Sequence, residues 1–559
     1  MHTTESDLLE QEGVCSMRSK LVRVILSVIF LVLLIGCGNV GNTDKKTEEV
    51  IGEHSTDEFS GGDTVVKRNN EELAAKYKAT IIMLDDSQIL VDGKSISLDN
   101  TSSVYASNDI VFYLEGQGFT YGEGTVEDEH SQEEADSHTV VHITQPGNYV
   151  LSGKLSSGQI SVDLGEDAKE DKNAVVTLVL NNVDISCSVA PGVIFYNVYE
   201  CGSDEVEEAA KDVDTTKAGA NVIIADGSVN QVNGSYVARI YESVELNEDG
   251  TEVVDSKKLH KYDAAFYSKC SMNINGEADN NGVLNIQAEN EGVGSELHLT
   301  INGGSINITS GNDGINTNED EVSVTTINGG SLNIVVDGST KEGDGIDSNG
   351  WLVINGGSVN AAACSFSGDS GIDSDMGIHI NGGTVLATGN MLDTIADSTQ
   401  NYVVLLFDGI QKARSFYELK TIDGMIIANW TPVNDFSMLV FSGESLAAGT
   451  YTLWKDGVQL PVQAIEDGKV NGPRKEMPEG ERPKMPEGER PESPESERTQ
   501  MPEDEYSQKS EGKHPNMLIE EMPQGEHGPN QVGMFARGED KNEFEITDGG
   551  NMYMIRMAQ

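Results

Sequence analysis

Between residues 263 and 400 apolar and polar positions alternate in short runs, and the runs recur. Leu299 and Ile301 alternate with His298 and Thr300, Ile306 and Ile308 flank Asn307, Leu332 and Ile334 flank Asn333, and Ile378 and Ile380 flank His379. Period-two alternation of this length predicts strands with one buried face. The string Ile-Asn-Gly punctuates the runs, with its asparagines at Asn275, Asn302, Asn328, Asn355 and Asn381, at spacings of 27, 26, 27 and 26. A repeat of this length with two or three short strands and glycine-rich corners suits a parallel β-helix, in which each coil rises one sheet spacing, about 4.8 Å, above the last. Propeller blades need about 40 residues, and the leucine-rich consensus is absent. In a β-helix the Asn-Gly pair has a physical reason. Glycine takes a positive-φ corner that a β-carbon would forbid, asparagine tolerates the neighbouring position, and the stacked asparagines form an amide ladder.

The alternation extends upstream through Val176, Leu178 and Leu180 and through Val222 and Ile224, with charged excursions near 200–220 and 240–262 that read as loops on one side. The repeat region is therefore placed at 80–400. Residues 401–465 keep the alternation but lose the repeat, with turns at Asp408-Gly409, Asp423-Gly424 and Asp456-Gly457. A solenoid needs its terminal strand edge covered, so this stretch predicts a C-terminal β cap. Residues 466–559 begin with Met-Pro-Glu units almost free of large apolar side chains, which predicts a disordered acidic tail. The fold class is all-β.

Near the other end, Arg18, Lys20 and Arg23 precede a mostly apolar run over 24–35, followed by Gly36 and Cys37. As a helix that run would extend about 18 Å, too short for a hydrocarbon core of about 30 Å, so residues 1–37 read as a signal peptide starting in effect at Met17. The polar stretch 38–79 lacks apolar periodicity and reads as a flexible tether.

Composition narrows the partners. Lys+Arg 37 against Asp+Glu 93 leaves a net charge of −56, and no basic patch stands out, so nucleic acid and anionic lipid surfaces are excluded as ligands. Glycine is abundant and proline scarce, which agrees with a turn-rich β architecture. Six scattered cysteines do not make a disulfide scaffold, although a Cys187–Cys201 pair stays open.

A second repeat runs in phase with the first: Asp313-Gly314-Ile315-Asn316, Asp344-Gly345-Ile346-Asp347, then Asp369, Gly371, Ile372, Asp373 and Asp375, with Asp393 continuing it. With the isoleucine inward, carboxylates stack about 5 Å apart up the coils and repel unless a cation lies between them. Carboxylates, asparagine amides and glycine carbonyls are hard oxygen ligands, which suits calcium. The competing reading is that Asp and Asn are simply good turn residues, solvated and unpaired.

These motifs, with the stretches at 143–164, 176–186, 263–276 and 432–457, resemble the extracytoplasmic bacterial carbohydrate-binding domain-containing proteins, over about 140–460. The resemblance implies a right-handed parallel β-helix of pectate-lyase-like fold, calcium between coils with Asp263 among the ligands, and binding of cell-wall polysaccharide, acidic galacturonan above all and cellulose as a further candidate. The string ending in Gly36-Cys37 resembles the bacterial lipobox, which implies lipidation of Cys37 and anchoring on the outer face of the cell membrane.

A catalytic alternative, lyase-like or polygalacturonase-like, is set against this. No arginine stands between Arg239 and Arg414, and from Asp263 onward only Lys269 and Lys341 lie on the coils, whereas β-elimination needs a base beside the uronate. His298 and His379 alternate with strand apolars and read as outward strand residues. No nucleophile elbow, HExxH or phosphate loop occurs. The expectation is a calcium-dependent polysaccharide binder without catalysis, with a calcium-rigidified adhesive stalk as the other alternative. Trp351, Trp430 and Trp454 are the candidate stacking platforms for a neutral glucan.

Overall fold

A computed structural model describes residues 70–465 and 539–556. The described residues are nearly all β, with only short helical segments such as Gln132–Asp136 and a helix over 70–77. No helix among them is long and apolar enough to cross a membrane. The signal segment, Cys37 and most of the tether and tail lie outside the described residues.

The alternating runs form three ladders of parallel strands. The first stacks Val176–Ser186, Ala220–Ile224, Met272–Gly276, His298–Ile301, Val324–Ile327, Trp351–Ile354 and Gly377–Ile380. The second stacks Val229–Gly234, Val283–Ala288, Ser305–Ser310, Ser331–Val336, Ser358–Ala362 and Thr384–Gly389. A third runs from Thr139–Ile143 through Gly158–Asp163, Val193–Asn197, Ala264–Ser268, Glu291–Ser295 and Ile315–Thr317 to Ile346–Ser348. The Asn-Gly corners join the first ladder to the second. One repeat buries Leu299 and Ile301 from the first ladder, Ile306 and Ile308 from the second and Ile315 from the third in one continuous core. Each such side chain stabilises by roughly 1.5–3 kcal/mol, but strands of three to six residues hold only because the next repeat covers them.

The amide ladder forms. Asn302 donates from Nδ2 to Oδ1 of Asn275 at 2.9 Å, Asn328 to Asn302 at 2.9 Å, Asn355 to Asn328 at 3.0 Å and Asn381 to Asn355 at 3.0 Å. The positive-φ glycine lies one residue beyond the Asn-Gly pair. In the four corners that carry two glycines it is the second that takes positive φ, +92° at Gly304 and +85° at Gly330. The first is required by close approach, since a β-carbon at Gly356 would lie 2.6 Å from the carbonyl oxygen of Asn328.

Both ends are more ordered than the sequence reading expects. Residues 70–79 are not tether, because Leu73, Ala74 and Tyr77 pack on Val150, Val179 and Ala225. Asn70 is buried, bonded to Ser152 and Asn181 at 2.6 Å each. At the other end Thr384–Gly389 meets Phe436–Ser442 in antiparallel pairing, which ends the parallel stack. Tyr402–Gln411 pairs with Phe436–Ser442 and also with Gly550–Ile555, while Phe544–Ile546 joins Gly449–Lys455. The cap therefore includes 539–556, inside the segment expected to be tail. The alternation of Phe544 with Ile546 and the Asp548-Gly549 turn supply the physical reason. The excursion near 240–262 is likewise not a loop but an antiparallel hairpin, Val237–Leu246 with Val253–Tyr262. Cys187 and Cys201 are free thiols, which closes the question of their pairing.

Candidate functional site

The acidic repeat lies where the chain enters the third ladder. Main-chain N–H groups of Gly292, Gly314 and Gly345 donate to the carbonyls of Asp313, Asp344 and Ser370 at 2.9, 3.0 and 2.9 Å. This register stacks Glu291, Asp313 and Asp344 in one row. Three residues on, Asn316 pairs with Asp347, and the Asp373 N–H bonds the Ile346 carbonyl at 2.7 Å, so Asn316, Asp347 and Asp373 make a second row. Glycine between the rows is obligatory. A β-carbon at Gly314 would lie 2.2 Å from Cγ2 of Ile334 and 2.5 Å from the Gly345 carbonyl oxygen.

The rows are desolvated and mutually repulsive. Burial first, and then the neighbouring carboxylates, push Glu291, Asp313 and Asp344 well above the ordinary carboxylate range. The same causes raise Asp347 to about 7, with Asp375 and Asp393 as its strongest repelling charges, and Asp373 to about 8, with Asp393 and Asp347. Donors are few. The Asp344 N–H reaches Asp313 Oδ1 at 2.7 Å, the Ser370 N–H reaches Asp344 Oδ1 at 2.5 Å, and Asn316 Nδ2 reaches Glu291 Oε1 at 3.0 Å. Glu291 Oε2, Asn316 Oδ1 and Asp373 Oδ1 are buried acceptors with no donor. An orphaned buried oxygen costs about 1–3 kcal/mol, more if charged, unless a proton or a cation completes it.

The donor set fits a hard cation: every candidate ligand atom is an oxygen. Among the described residues no three acidic, histidine or cysteine side chains converge on one point. A cation here would therefore take further oxygens from Asn316, main-chain carbonyls and water, as calcium readily does.

The other expected ligands sit at the margins. Asp369 is half-buried and accepts from the Gly343 N–H at 2.6 Å, Asp393 is half-buried and accepts from the Ser374 N–H at 3.1 Å, and Asp375 is exposed. The column thus opens toward solvent at its C-terminal end. Asp263 lies at the opposite end and is paired with Lys261, Nζ to Oδ2 3.0 Å. Glu291 was not among the expected ligands. Its Glu-Gly-Val string keeps the acid, glycine and aliphatic pattern of Asp-Gly-Ile, with only the acid lengthened, and that was the available signal.

The residues weighed for catalysis have other uses. His298 is buried, accepts the Val324 N–H on Nδ1 at 3.1 Å and is lowered by burial to about 4, so it is a neutral structural group rather than an outward base. His379 Nδ1 donates to the Asp397 carbonyl at 3.0 Å. Lys341 stands exposed at φ +79°, and burial lowers the Lys269 pKa. Trp430 is packed between Tyr417 and Phe441 in the cap core and Trp454 lies under the Lys420 ammonium, so only Trp351 remains half-open on the repeat region. On the outer face of the first ladder a cleft of about 320 Å³ is lined by Thr215, Asn273, Thr300, Asn302, Thr326 and Asn328 among others.

Residues 137–404, just under half of the chain, match a family described as "Carbohydrate-binding domain-containing protein". A relative of the same description from Acetivibrio thermocellus is 28% identical over 174 residues, 31% of this chain, and the match spans 46% of that relative's length. A solved structure titled as the polysaccharide lyase-like protein from C. thermocellum, a gadolinium derivative, is similar at 21% identity and a TM-score of 0.30, covering 54% of this chain and 83% of that one.

Proposed function

We propose that the chain is a non-catalytic, calcium-dependent polysaccharide-binding protein of the bacterial cell surface, built on a right-handed parallel β-helix and anchored through lipidated Cys37. The observation that carries the calcium reading is the double row of stacked acids with three buried acceptor oxygens lacking donors. Asp313, Asn316, Asp344, Asp347 and Asp373 would hold the ions between successive repeats. At the open end Asp369, Asp375 and Asp393 would hold a further ion accessible to a ligand. A cation there supplies the positive charge that lets an acidic galacturonan approach a protein of net charge −56. The carbohydrate-binding family match over 137–404 supports the ligand class.

The test is retention of the full chain on immobilised polygalacturonate. Retention in calcium, release by chelator and no generation of unsaturated uronide or new reducing ends are expected. Turnover that is lost on changing Lys341 or a column aspartate would overturn the non-catalytic reading.

A second reading has one observation in its favour: the cleft on the outer face of the first ladder is lined mostly by uncharged Asn and Thr side chains with Asp214 as its one charged member. There the exposed amides would bond sugar hydroxyls of a neutral glucan, and the cations would serve only to hold the repeats together. Retention unaffected by chelator selects this reading.

A further inference from the structure

The carboxylate column does not begin with a carboxylate pair open to a metal. At its start Asp263 stands one position out of register with Glu291, close enough to repel it, and is met by Lys261, whose Nζ lies 3.0 Å from Asp263 Oδ2. Asp263 keeps 9% of its side chain exposed against 37% for Lys261, so the ammonium enters from the solvent side and plugs the layer. The lysine is the penultimate residue of the hairpin strand Val253–Tyr262, and the hairpin base is locked by packing. Tyr262 lies edge-on to Tyr196 at 5.4 Å and tilted against Tyr267 at 5.7 Å, and its hydroxyl meets His260 Nδ1 at 2.6 Å. Lys258 of the same strand reaches Glu296, 3.7 Å away, at the far end of Glu291–Ser295. Among the described residues no ammonium or guanidinium makes an ion pair with Asp313, Asp344, Asp347 or Asp373, and Asp313 and Asp344 accept from main-chain N–H groups. A hairpin inserted into an otherwise regular repeat thus delivers cations to the layers nearest its own base.

Glu291 gives this layer more oxygen than a simple ion pair would need. Its Oε2 is buried without a donor although Lys261 stands nearby, and Oδ1 of Asn316, whose amide bonds the other Glu291 oxygen, is likewise buried without a donor. We propose that Lys261 is a tethered counter-cation, filling in the first layer the place that a divalent ion fills in the later ones, so that the hairpin determines where the metal sites begin. This rests on the reading of the later layers as calcium sites. Removing the ammonium while keeping its apolar stem should then uncover one more site of the same oxygen chemistry.

The experiment is calcium titration of the full chain by calorimetry, with melting temperature followed in calcium and in chelator, for the wild type, Lys261→Met, Lys261→Arg and Asp344→Asn. Lys261→Met is expected to take up one calcium equivalent more than the wild type, to melt lower in chelator and to recover in calcium. Lys261→Arg should keep the wild-type stoichiometry, and Asp344→Asn should lose calcium without touching the first layer. Unchanged stoichiometry in Lys261→Met, with the wild type binding calcium, overturns the tethered-cation proposal and leaves the column reading intact. A wild type that binds none while Lys261→Met binds one supports the tethered cation and removes calcium from the later layers. No binding by either protein overturns both.

Discussion

Two corners of the same repeat stack a side chain at every level, and they solve the stacking differently. At the Asn-Gly corner each amide carries donor and acceptor, so Nδ2 of one level bonds Oδ1 of the level before it at 2.9–3.0 Å throughout. At the acidic corner the carboxylates only accept and Asn316 alone among the two rows donates, so the same geometry leaves Glu291 Oε2, Asn316 Oδ1 and Asp373 Oδ1 orphaned and forces like charges together. Identical spacing therefore makes one corner self-sufficient and the other dependent on something from outside the chain, a proton or a cation. The neutral ladder also tolerates partial exposure, whereas the acids are the more costly the deeper they lie.

Calcium gives the largest separation between the two corners. Millimolar ion acting on a micromolar site that exists only in the fold stabilises by about 4 kcal/mol, so melting in calcium and in chelator should differ strongly, and Asp344→Ala should remove part of the difference. Equal melting temperatures in the two conditions would remove the distinction between the corners.

Acidity should come next. With metal removed, the folded pKa values of Asp347 and Asp373 lie at about 7 and about 8, above the ordinary value of 3.8, so the fold binds more protons than the unfolded chain. Their contribution is present below pH 4 and is lost as pH rises through 7 and 8. Melting in chelator should fall over that window, and saturating calcium should flatten the profile. A flat profile in chelator would show that the acids are not held as the geometry implies.

A smaller effect follows from making the acidic corner resemble the other. Asp347→Asn, in register with Asn316, puts a donor where two acceptors meet and removes a buried charge. In chelator this variant should melt above the wild type, by the worth of roughly one hydrogen bond, about 1 kcal/mol, while binding less calcium. A lower melting temperature in chelator would mean that the carboxylate is satisfied already. The least effect is expected from Asn328→Ala, which breaks two ladder bonds whose partners are exposed and find water, and which should cost at most about 1 kcal/mol, independent of calcium and pH. Calcium dependence in that variant would join the two corners energetically.

Much of this was legible in the chain. The 26-residue period, the amide ladder and the phase of Asp347 and Asp373 follow from local spacing, because a stacked repeat turns sequence period into spatial register. Asp263 and Glu291 were harder, since the hairpin interrupts the period just before them and the register there slips by one residue: Phe266 pairs with Val293, which sets Asp263 beside Asn290 rather than Glu291. The ordered residues at 70–79 and 539–556 were hidden for a related reason. Each is a short apolar segment beside a polar one, and neither forms anything until the end of the stack is there to receive it.

The sequence by itself determined the all-β repeat, the corners and the kind of side chain that stacks at each, because alternation and glycine placement act over a few residues. Only the tertiary structure decided which acids are buried, which oxygens are left without donors, that Lys261 reaches the first of them, and that residues near 550 close the cap. Those outcomes depend on pairing between segments up to about 150 residues apart, as Tyr402 with Gly550 shows, and on desolvation that exists only once the repeats have stacked.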